Sequence, residues 1–179
     1  METWMFYSYK GGSGRTVASA NVAAALAKLG KRVLIVDMDF EAPGLHNLFE
    51  IEKNDKFRAK RGIQDFFRGK IELEEVEKHF VFDLKEEAPD TLYINIPEEA
   101  LLLYAAAAPR ASVVSTGERE MHHQLKSLLK FLEKKYQLDY CILDAASGIR
   151  DAFTVSVQAC DKIMFLYRWS RQHIAGTKR

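Results

Sequence analysis

A glycine-rich loop between a strand-like and a helix-like segment constrains the fold more than any other feature of this sequence. The aromatic run Trp4 to Tyr9 predicts a buried strand, and the loop Lys10 to Thr16 follows it directly. Apolar residues then recur at helical spacing as far as Leu29. The continuous apolar run within Arg32 to Asp37 is typical of a parallel strand covered on both faces. The order strand, loop, helix, strand therefore predicts an α/β unit.

Strand-like and helix-like segments keep alternating along the rest of the chain. Further strands are predicted at Thr91 to Ile96, Tyr140 to Leu143 and Lys162 to Tyr167. Further helices are predicted around Leu45 to Phe49, Ile63 to Phe67, Glu72 to Phe80, Leu125 to Tyr136 (begun by a capping box at Ser115 and Glu118) and Asp151 to Cys160. Leu101 to Ala108 fits neither pattern. We expect one α/β domain over residues 1–179, with a mostly parallel sheet and helices on both faces.

Composition and charge exclude several classes of protein. The 26 basic and 25 acidic side chains give a net charge of +1, so no overall field would attract nucleic acid or an anionic membrane. Cys141 and Cys160 do not have metal-ligand spacing and are interpreted as reduced thiols. Met1 to Tyr9 lacks the features of a signal peptide, and Leu101 to Ala108 is too short to span a bilayer. These features predict a cytoplasmic protein without a membrane segment.

The loop itself has the composition of a phosphate-binding site. Gly11, Gly12 and Gly14 lack a Cβ, so their backbone N–H groups can turn inward around an anion. The helix that begins near Arg15 adds its positive end, and the Thr16 hydroxyl is placed to coordinate Mg²⁺. The loop therefore predicts binding of a nucleoside triphosphate together with Mg²⁺; the family resemblance described next favours ATP.

Three motifs resemble those of the ParA and MinD family of ATPases, which are P-loop NTPases. The loop is similar to the deviant P-loop K-G-G-x-G-K-[ST], in the branch that carries arginine as the second basic residue. Asp37-Met38-Asp39 resembles the family's switch I, and the following residues Glu41 to Leu45 extend the match. Asp144, with Gly148 four residues later, resembles the Walker B strand end and switch II. The resemblance is weak from Asn54 to Arg119.

The resemblance implies a role for each matched residue. Lys10 corresponds to the signature lysine, which reaches the phosphates held by the partner protomer, and Asp39 to the residue that orients the attacking water. Mg²⁺ is expected to be held by Thr16 and Asp144, with Asp37 ranked below them. Residues expected to act in hydrolysis are Lys10, Arg15 and Asp39. The expected nucleotide-binding set is Lys10, Gly11, Gly12, Ser13, Gly14, Arg15, Thr16, Val17 and Gly148.

Several positions depart from the family pattern. Arg15 replaces a lysine and keeps its positive charge. Its planar guanidinium is not a point charge, so we expect its contacts with the phosphate oxygens to differ from those of a lysine. Val17 stands where the family has a hydroxyl, and Ala145 and Ala146 replace bulkier residues of switch II. The chain ends at Arg179, where the family continues into strands that surround the adenine base. We therefore expect the domain to be truncated at its C-terminus.

The function implied is a slow switch ATPase that forms an ATP-dependent homodimer and times the action of a partner protein. Two alternatives stay open: a nucleotide-binding sensor with little hydrolysis, because of Arg15 and Val17, and an ATP-dependent ligase with a deviant P-loop. DNA as a partner has no support beyond basic patches for which a solvated surface is the favoured interpretation. These patches are Lys53, Lys56, Arg58, Lys60 and Arg61, and Arg168 to Arg171.

Overall fold

A single, mostly parallel sheet forms the centre of the computed structural model, which describes residues 1–58, 61–87, 97–107, 117–148 and 151–167. Its strands are β1 (Glu2–Tyr7), β2 (Arg32–Met38), β3 (Val81–Asp83), β4 (Leu101–Ala105), β5 (Tyr140–Ala145) and β6 (Lys162–Phe165). The strand order is β3-β4-β2-β5-β1-β6. All neighbours are parallel except β3 and β4. This arrangement confirms the predicted α/β fold class.

Two long helices and several short ones surround the sheet. The helices are α1 (Arg15–Lys28), α2 (Leu45–Leu48), α3 (Asp55–Arg58), α4 (Ile63–Phe67), α5 (Val76–His79), α6 (Leu84–Glu87), α7 (Glu118–Tyr136) and α8 (Asp151–Ala159), with 3₁₀ turns at Ile51–Lys53 and Leu73–Glu75. Helix α7 buries an apolar stripe at helical spacing: Met121, Leu125, Leu128, Leu129 and Leu132. Helix α1 buries mainly alanines, whose small side chains let it approach the sheet closely.

The central strand β2 shows that both faces of the sheet are covered. Successive side chains of a strand point to opposite faces, and β2 is buried at every position from Val33 to Met38. Its register places Ile35 opposite Ile142 of β5 and Tyr104 of β4. These residues belong to one hydrophobic core. The core therefore fixes the positions of the strand ends, where the functional residues lie.

The segment that sequence patterning left unassigned is a buried strand. Leu101–Ala105 forms β4, and every residue in it is buried. A fully buried strand has no polar alternation, so its pattern cannot be distinguished from that of a short buried helix. The antiparallel β3 was not predicted. The predicted strand at Thr91 to Ile96, the cap at Ser115 and the patch at Arg168 to Arg171 lie outside the described residues.

Lys56 belongs to the basic cluster interpreted as a solvated loop, yet its ammonium group is turned into the protein. Its Nζ donates hydrogen bonds to the carbonyl oxygens of Glu77 at 3.3 Å and Val81 at 2.8 Å. The same atom pairs with the Glu87 carboxylate at 2.8 Å and lies 4.2 Å from the centre of the Phe82 ring. Lys56 therefore links α3 to β3 and α6, and its ammonium group does not contribute to an exposed basic patch.

We expect Lys56→Met to lower the free energy of unfolding by about 2 kcal/mol, because two carbonyl oxygens lose a hydrogen-bond donor and the Glu87 carboxylate loses the cation that pairs with it. The control is Lys53→Met, since Lys53 is an exposed lysine in the adjacent 3₁₀ turn. It should change stability by less than about 0.5 kcal/mol. Urea denaturation measures both variants. Equal losses in the two would show that the Lys56 contacts contribute nothing specific.

Candidate nucleotide site

The glycine-rich loop lies at the carboxyl end of β1 and leads directly into α1. Gly12 and Gly14 have φ angles of 72° and 85°, in the left-handed region that L side chains rarely adopt. Gly14 is also the N-cap of α1, and no side chain caps this helix end. The first N–H groups of a helix have no partner within the helix, so they are available to an anion. The loop thus has the backbone form that phosphate binding requires.

A cavity of about 340 Å³ opens above this loop. It is lined by Ser8, Gly11, Gly12, Ser13, Gly14, Arg15, Thr16, Val17, Asp39, Ala42 and Ser147. Most of the predicted nucleotide-binding residues therefore line one cavity. Ser13 Oγ is buried and has no hydrogen-bond partner among the described residues, which leaves it available to a ligand. Lys10 and Gly148 are outside the lining; Lys10 is exposed on the loop, and Gly148 has a φ of 80° just beyond Ser147.

Three aspartates converge beside the loop because β2 and β5 are neighbours in the sheet. The parallel register places Asp37 opposite Asp144, and Asp39 follows the end of β2. Asp37 and Asp144 are fully buried, and Asp39 is 8% exposed. Burying ionised carboxylates is costly unless a cation or hydrogen-bond donors compensate them. Three buried carboxylates at one site therefore require compensating cations or hydrogen-bond donors.

Arg15 is the cation that compensates two of them. Its Nε donates to Asp144 Oδ1 at 2.9 Å, and its Nη2 donates to Asp39 Oδ2 at 2.9 Å. Burial opposes the charged form of the guanidinium, but the two carboxylates outweigh this effect and raise the pKa of Arg15. The sequence predicted that Arg15 contacts phosphate. The structure pairs it with the two acidic residues while it also lines the cavity.

Asp37 holds the backbone that follows β2. Its Oδ1 accepts the Asp39 N–H at 3.1 Å, and its Oδ2 accepts the Leu45 N–H at 3.3 Å and the Tyr104 hydroxyl at 3.5 Å. Burial and the nearby charge of Asp144 raise the pKa of Asp37 well above its ordinary value. The Asp37 side chain does not line the cavity. Its observed contacts fix both ends of the segment between β2 and α2, and its role at Mg²⁺ stays a prediction.

The residues beside Thr16 suit a hard cation. Asp144 Oδ2 is buried, and no atom of the residues that the structure describes forms a hydrogen bond with it. Burial raises the pKa of Asp144, whereas Arg15 and the Thr16 hydroxyl favour its charged form. An unpartnered carboxylate oxygen near a hydroxyl is the kind of ligand that Mg²⁺ prefers. In the part of the chain described, no group of three or more His, Cys, Asp or Glu side chains could hold a metal, so a cation would need further oxygens.

Sequence reasoning missed three residues that line the cavity and one that supports it. Ser8, Ala42 and Ser147 line the cavity. Ala42 donates its N–H to Asp39 Oδ1 at 3.1 Å. Each of the three lies within a few residues of a recognised motif, and that proximity is the signal that could have identified them. Tyr104 was unrecognisable, because it lies on the strand that patterning did not assign.

Comparison with known proteins establishes the family. The family model described as an AAA domain matches residues 1–177. The chain is 30% identical over 161 residues to the septum site-determining protein MinD of Bacillus subtilis, covering 90% of this chain and 51% of that protein. This chain belongs to the ParA/MinD family of P-loop ATPases. The family resemblance carried by the loop, Asp39 and Asp144 is thereby confirmed.

Other relatives agree with this assignment. A chain-wide match to an uncharacterized ATP-binding protein of Methanocaldococcus jannaschii has 41% identity over 157 residues, covering 88% of this chain and 49% of that protein. The fold is similar to that of Pyrococcus horikoshii MinD complexed with Mg-ADP, with a TM-score of 0.64 and 17% identity over 98% of this chain and 61% of that one. The chain spans about half the length of the curated relatives it matches.

Among the described residues, no helix combines the length and the apolar character that crossing a bilayer requires.

Gly14→Ala should lower the free energy of unfolding by about 1–2 kcal/mol, because an L side chain is strained at this backbone conformation. A Cβ at Gly14 would meet no atom within 4 Å, so the loss of stability would come from backbone strain and not from a steric clash. Gly11→Ala is the matched control: it also has open space around it but lacks a positive φ. Thermal unfolding should show a loss in Gly14→Ala alone, and equal stability of both variants would contradict the loop conformation.

Proposed function

We propose that this chain is the nucleotide-binding part of a switch ATPase that binds ATP with Mg²⁺ and hydrolyses it slowly. The observation that carries the proposal is the convergence of Asp39 and Asp144 beside the glycine-rich loop. A phosphate-binding loop alone indicates only that a phosphate-containing ligand binds. A loop next to two acids at the ends of neighbouring parallel strands also supplies groups for a metal and for a water molecule.

The loop and the start of α1 would hold the phosphates. Gly11, Gly12 and Gly14 supply backbone N–H groups, and Ser13 supplies a buried hydroxyl that has no hydrogen-bond partner in the described part of the chain. Val17 is 51% exposed at the cavity and can offer only an apolar surface there. The Mg-ADP complex of Pyrococcus horikoshii MinD, a protein of the same fold, supports adenine nucleotide and Mg²⁺ as the ligands.

Thr16 and Asp144 are the residues that would hold Mg²⁺. The unpartnered Asp144 oxygen is the available acceptor. When bound, Mg²⁺ neutralises charge on the phosphate oxygens. Gly44 lets the segment after β2 approach this point, since a Cβ there would lie 3.3 Å from Thr16 Cγ2. The presence or absence of the terminal phosphate beside Thr16 would therefore be sensed by this segment.

Asp39 is the residue that would position the attacking water. It lies at the cavity wall, and its Oδ1 is fixed by the Ala42 N–H at 3.1 Å. Its Oδ2 is the oxygen paired with Arg15. Hydrolysis by this route requires Asp39 Oδ2 to give up its hydrogen bond from Arg15 and to accept one from the attacking water instead. This additional step suits a slow enzyme.

Lys10 is the residue that would join two protomers. It is exposed on the loop and does not line the cavity of its own chain, which fits a lysine that reaches phosphates bound by a partner protomer. A solved structure of MinC in complex with MinD from Aquifex aeolicus shows a relative of the same fold bound to another protein. We propose that this chain also binds a partner protein, and that it does so as an ATP-dependent homodimer whose lifetime limits the binding.

A sensor that holds nucleotide without useful turnover is the second candidate, and the pairing of Arg15 with both acids favours it. Arg15→Lys separates the two functions. A gain of hydrolysis at unchanged nucleotide affinity would support the sensor, whereas a loss would show that arginine supports turnover.

The dimer is tested by Lys10→Ala. We expect this variant to lose ATP-dependent dimerisation, measured by light scattering, and to lose hydrolysis by at least about tenfold, the scale expected when one charged contact to the transferring phosphate is removed. Lys31→Ala is the control, because Lys31 is also exposed but follows the opposite end of α1. If Lys10→Ala dimerises and hydrolyses like wild type, the face-to-face dimer is wrong.

A further inference from the structure

We propose that Arg15 is a switch cation that alternates between the Asp39–Asp144 pair seen here and the phosphate oxygens of a bound nucleotide. The idea rests on the proposed function for the identity of the nucleotide. It assigns to Arg15 a regulatory task in addition to phosphate binding: Arg15 would hold both switch segments until phosphates draw it away from one of them.

The position of Arg15 allows both sets of contacts. It is the first residue of α1 and lines the cavity, yet only 7% of its side chain is exposed. A guanidinium between two carboxylates has its charge neutralised, and phosphate oxygens in the cavity would compete for the same donors through charge-assisted hydrogen bonds of similar strength. Anions of two kinds therefore compete for one cation.

The two carboxylates do not hold Arg15 equally firmly. Asp144 is within β5, and its side chain is fully buried. Asp39 follows the end of β2, and its side chain is 11% exposed. Water can replace a contact at the more exposed group, so the Asp39 pair is the one that phosphate binding would break. Arg15 would then keep Asp144 and release Asp39.

Release of Asp39 has a consequence for catalysis and for signalling. The freed Oδ2 becomes available to a water molecule, and Oδ1 stays on the Ala42 N–H. The segment from Asp39 to Gly44 then loses its ion pair with Arg15, while Gly44 still lies against Thr16 of the same helix. Occupation of the loop and movement of this segment are thereby coupled through one side chain.

The mechanism also gives a physical reason for arginine at this position. Its Nε and Nη2 donate in fixed directions to two different carboxylates at 2.9 Å each. A lysine ammonium is a compact point charge on a flexible stem and lacks this planar fork. We therefore expect Arg15→Lys to weaken the link between the two acids without removing the positive charge.

A double-mutant cycle on ADP affinity tests the switch. Binding of ADP is measured by calorimetry in EDTA, so neither Mg²⁺ nor hydrolysis contributes.

Asp39→Asn should tighten ADP binding about tenfold when Arg15 is present, because one charge-assisted hydrogen bond no longer has to be broken. In an Arg15→Met background the same substitution should tighten binding at most about threefold, since only a negative charge is removed. Equal factors in the two backgrounds, or weaker binding by Asp39→Asn, would overturn the proposal.

Two further variants keep the test decisive. Glu41→Gln removes an exposed negative charge from the same segment, and it should tighten binding at most about threefold; a tenfold gain would attribute the effect to net charge. Arg15→Lys serves as a second background if Arg15→Met does not fold, and there too Asp39→Asn should gain at most about threefold. If Asp39→Asn changes ADP affinity by the same factor in both backgrounds while the protein still dimerises with ATP, the switch is contradicted and the proposed function is not. A cycle with the expected factors in a chain that never dimerises contradicts only the proposed function.

Discussion

The structure of the site depends on one buried cation. Arg15 lies 2.9 Å from both Asp39 and Asp144, and no other cationic side chain in the described ranges pairs with either acid. Removing one partner from a buried ion pair leaves an uncompensated charge, which is far more costly than the pair itself is stabilising. The loop, the end of β2 and the end of β5 are therefore held together by electrostatics as well as by backbone packing.

The strand order is what makes this arrangement available. β5 pairs with both β1 and β2, so the loop after β1 and the acids after β2 and β5 meet at one edge of the sheet. Carboxyl ends of parallel strands are the usual location of ligand sites in such sheets. Strand β4 contributes as well, since its Tyr104 reaches Asp37 from the far side of β2. The buried apolar residues of these strands thus determine where Asp37, Asp39, Asp144 and Tyr104 lie.

The sequence predicted the parts of this site that depend on local chemistry. The loop was recognised because phosphate binding demands particular residues at short spacing, whereas Asp39 and Asp144 were recognised by their resemblance to motifs of the ParA/MinD family. The pairing of Arg15 with both acids was not predicted, because it depends on side-chain direction across elements that are far apart in the chain. Similarly, Lys56 was interpreted as solvated, since nothing in its neighbourhood indicated the carbonyl oxygens of Glu77 and Val81. β4 was missed because a fully buried strand has no alternation to recognise.

The compensation of Asp39 and Asp144 by Arg15 is the central claim, and equilibrium unfolding of Arg15→Met tests it most directly. Without added nucleotide at neutral pH, Arg15→Met should lose about 3–5 kcal/mol of unfolding free energy, because it leaves two buried carboxylates without their cation. Adding Asp39→Asn and Asp144→Asn to the same chain should recover a large part of that loss. An Arg15→Met variant as stable as wild type, or a loss that the two asparagines leave unchanged, would contradict the claim.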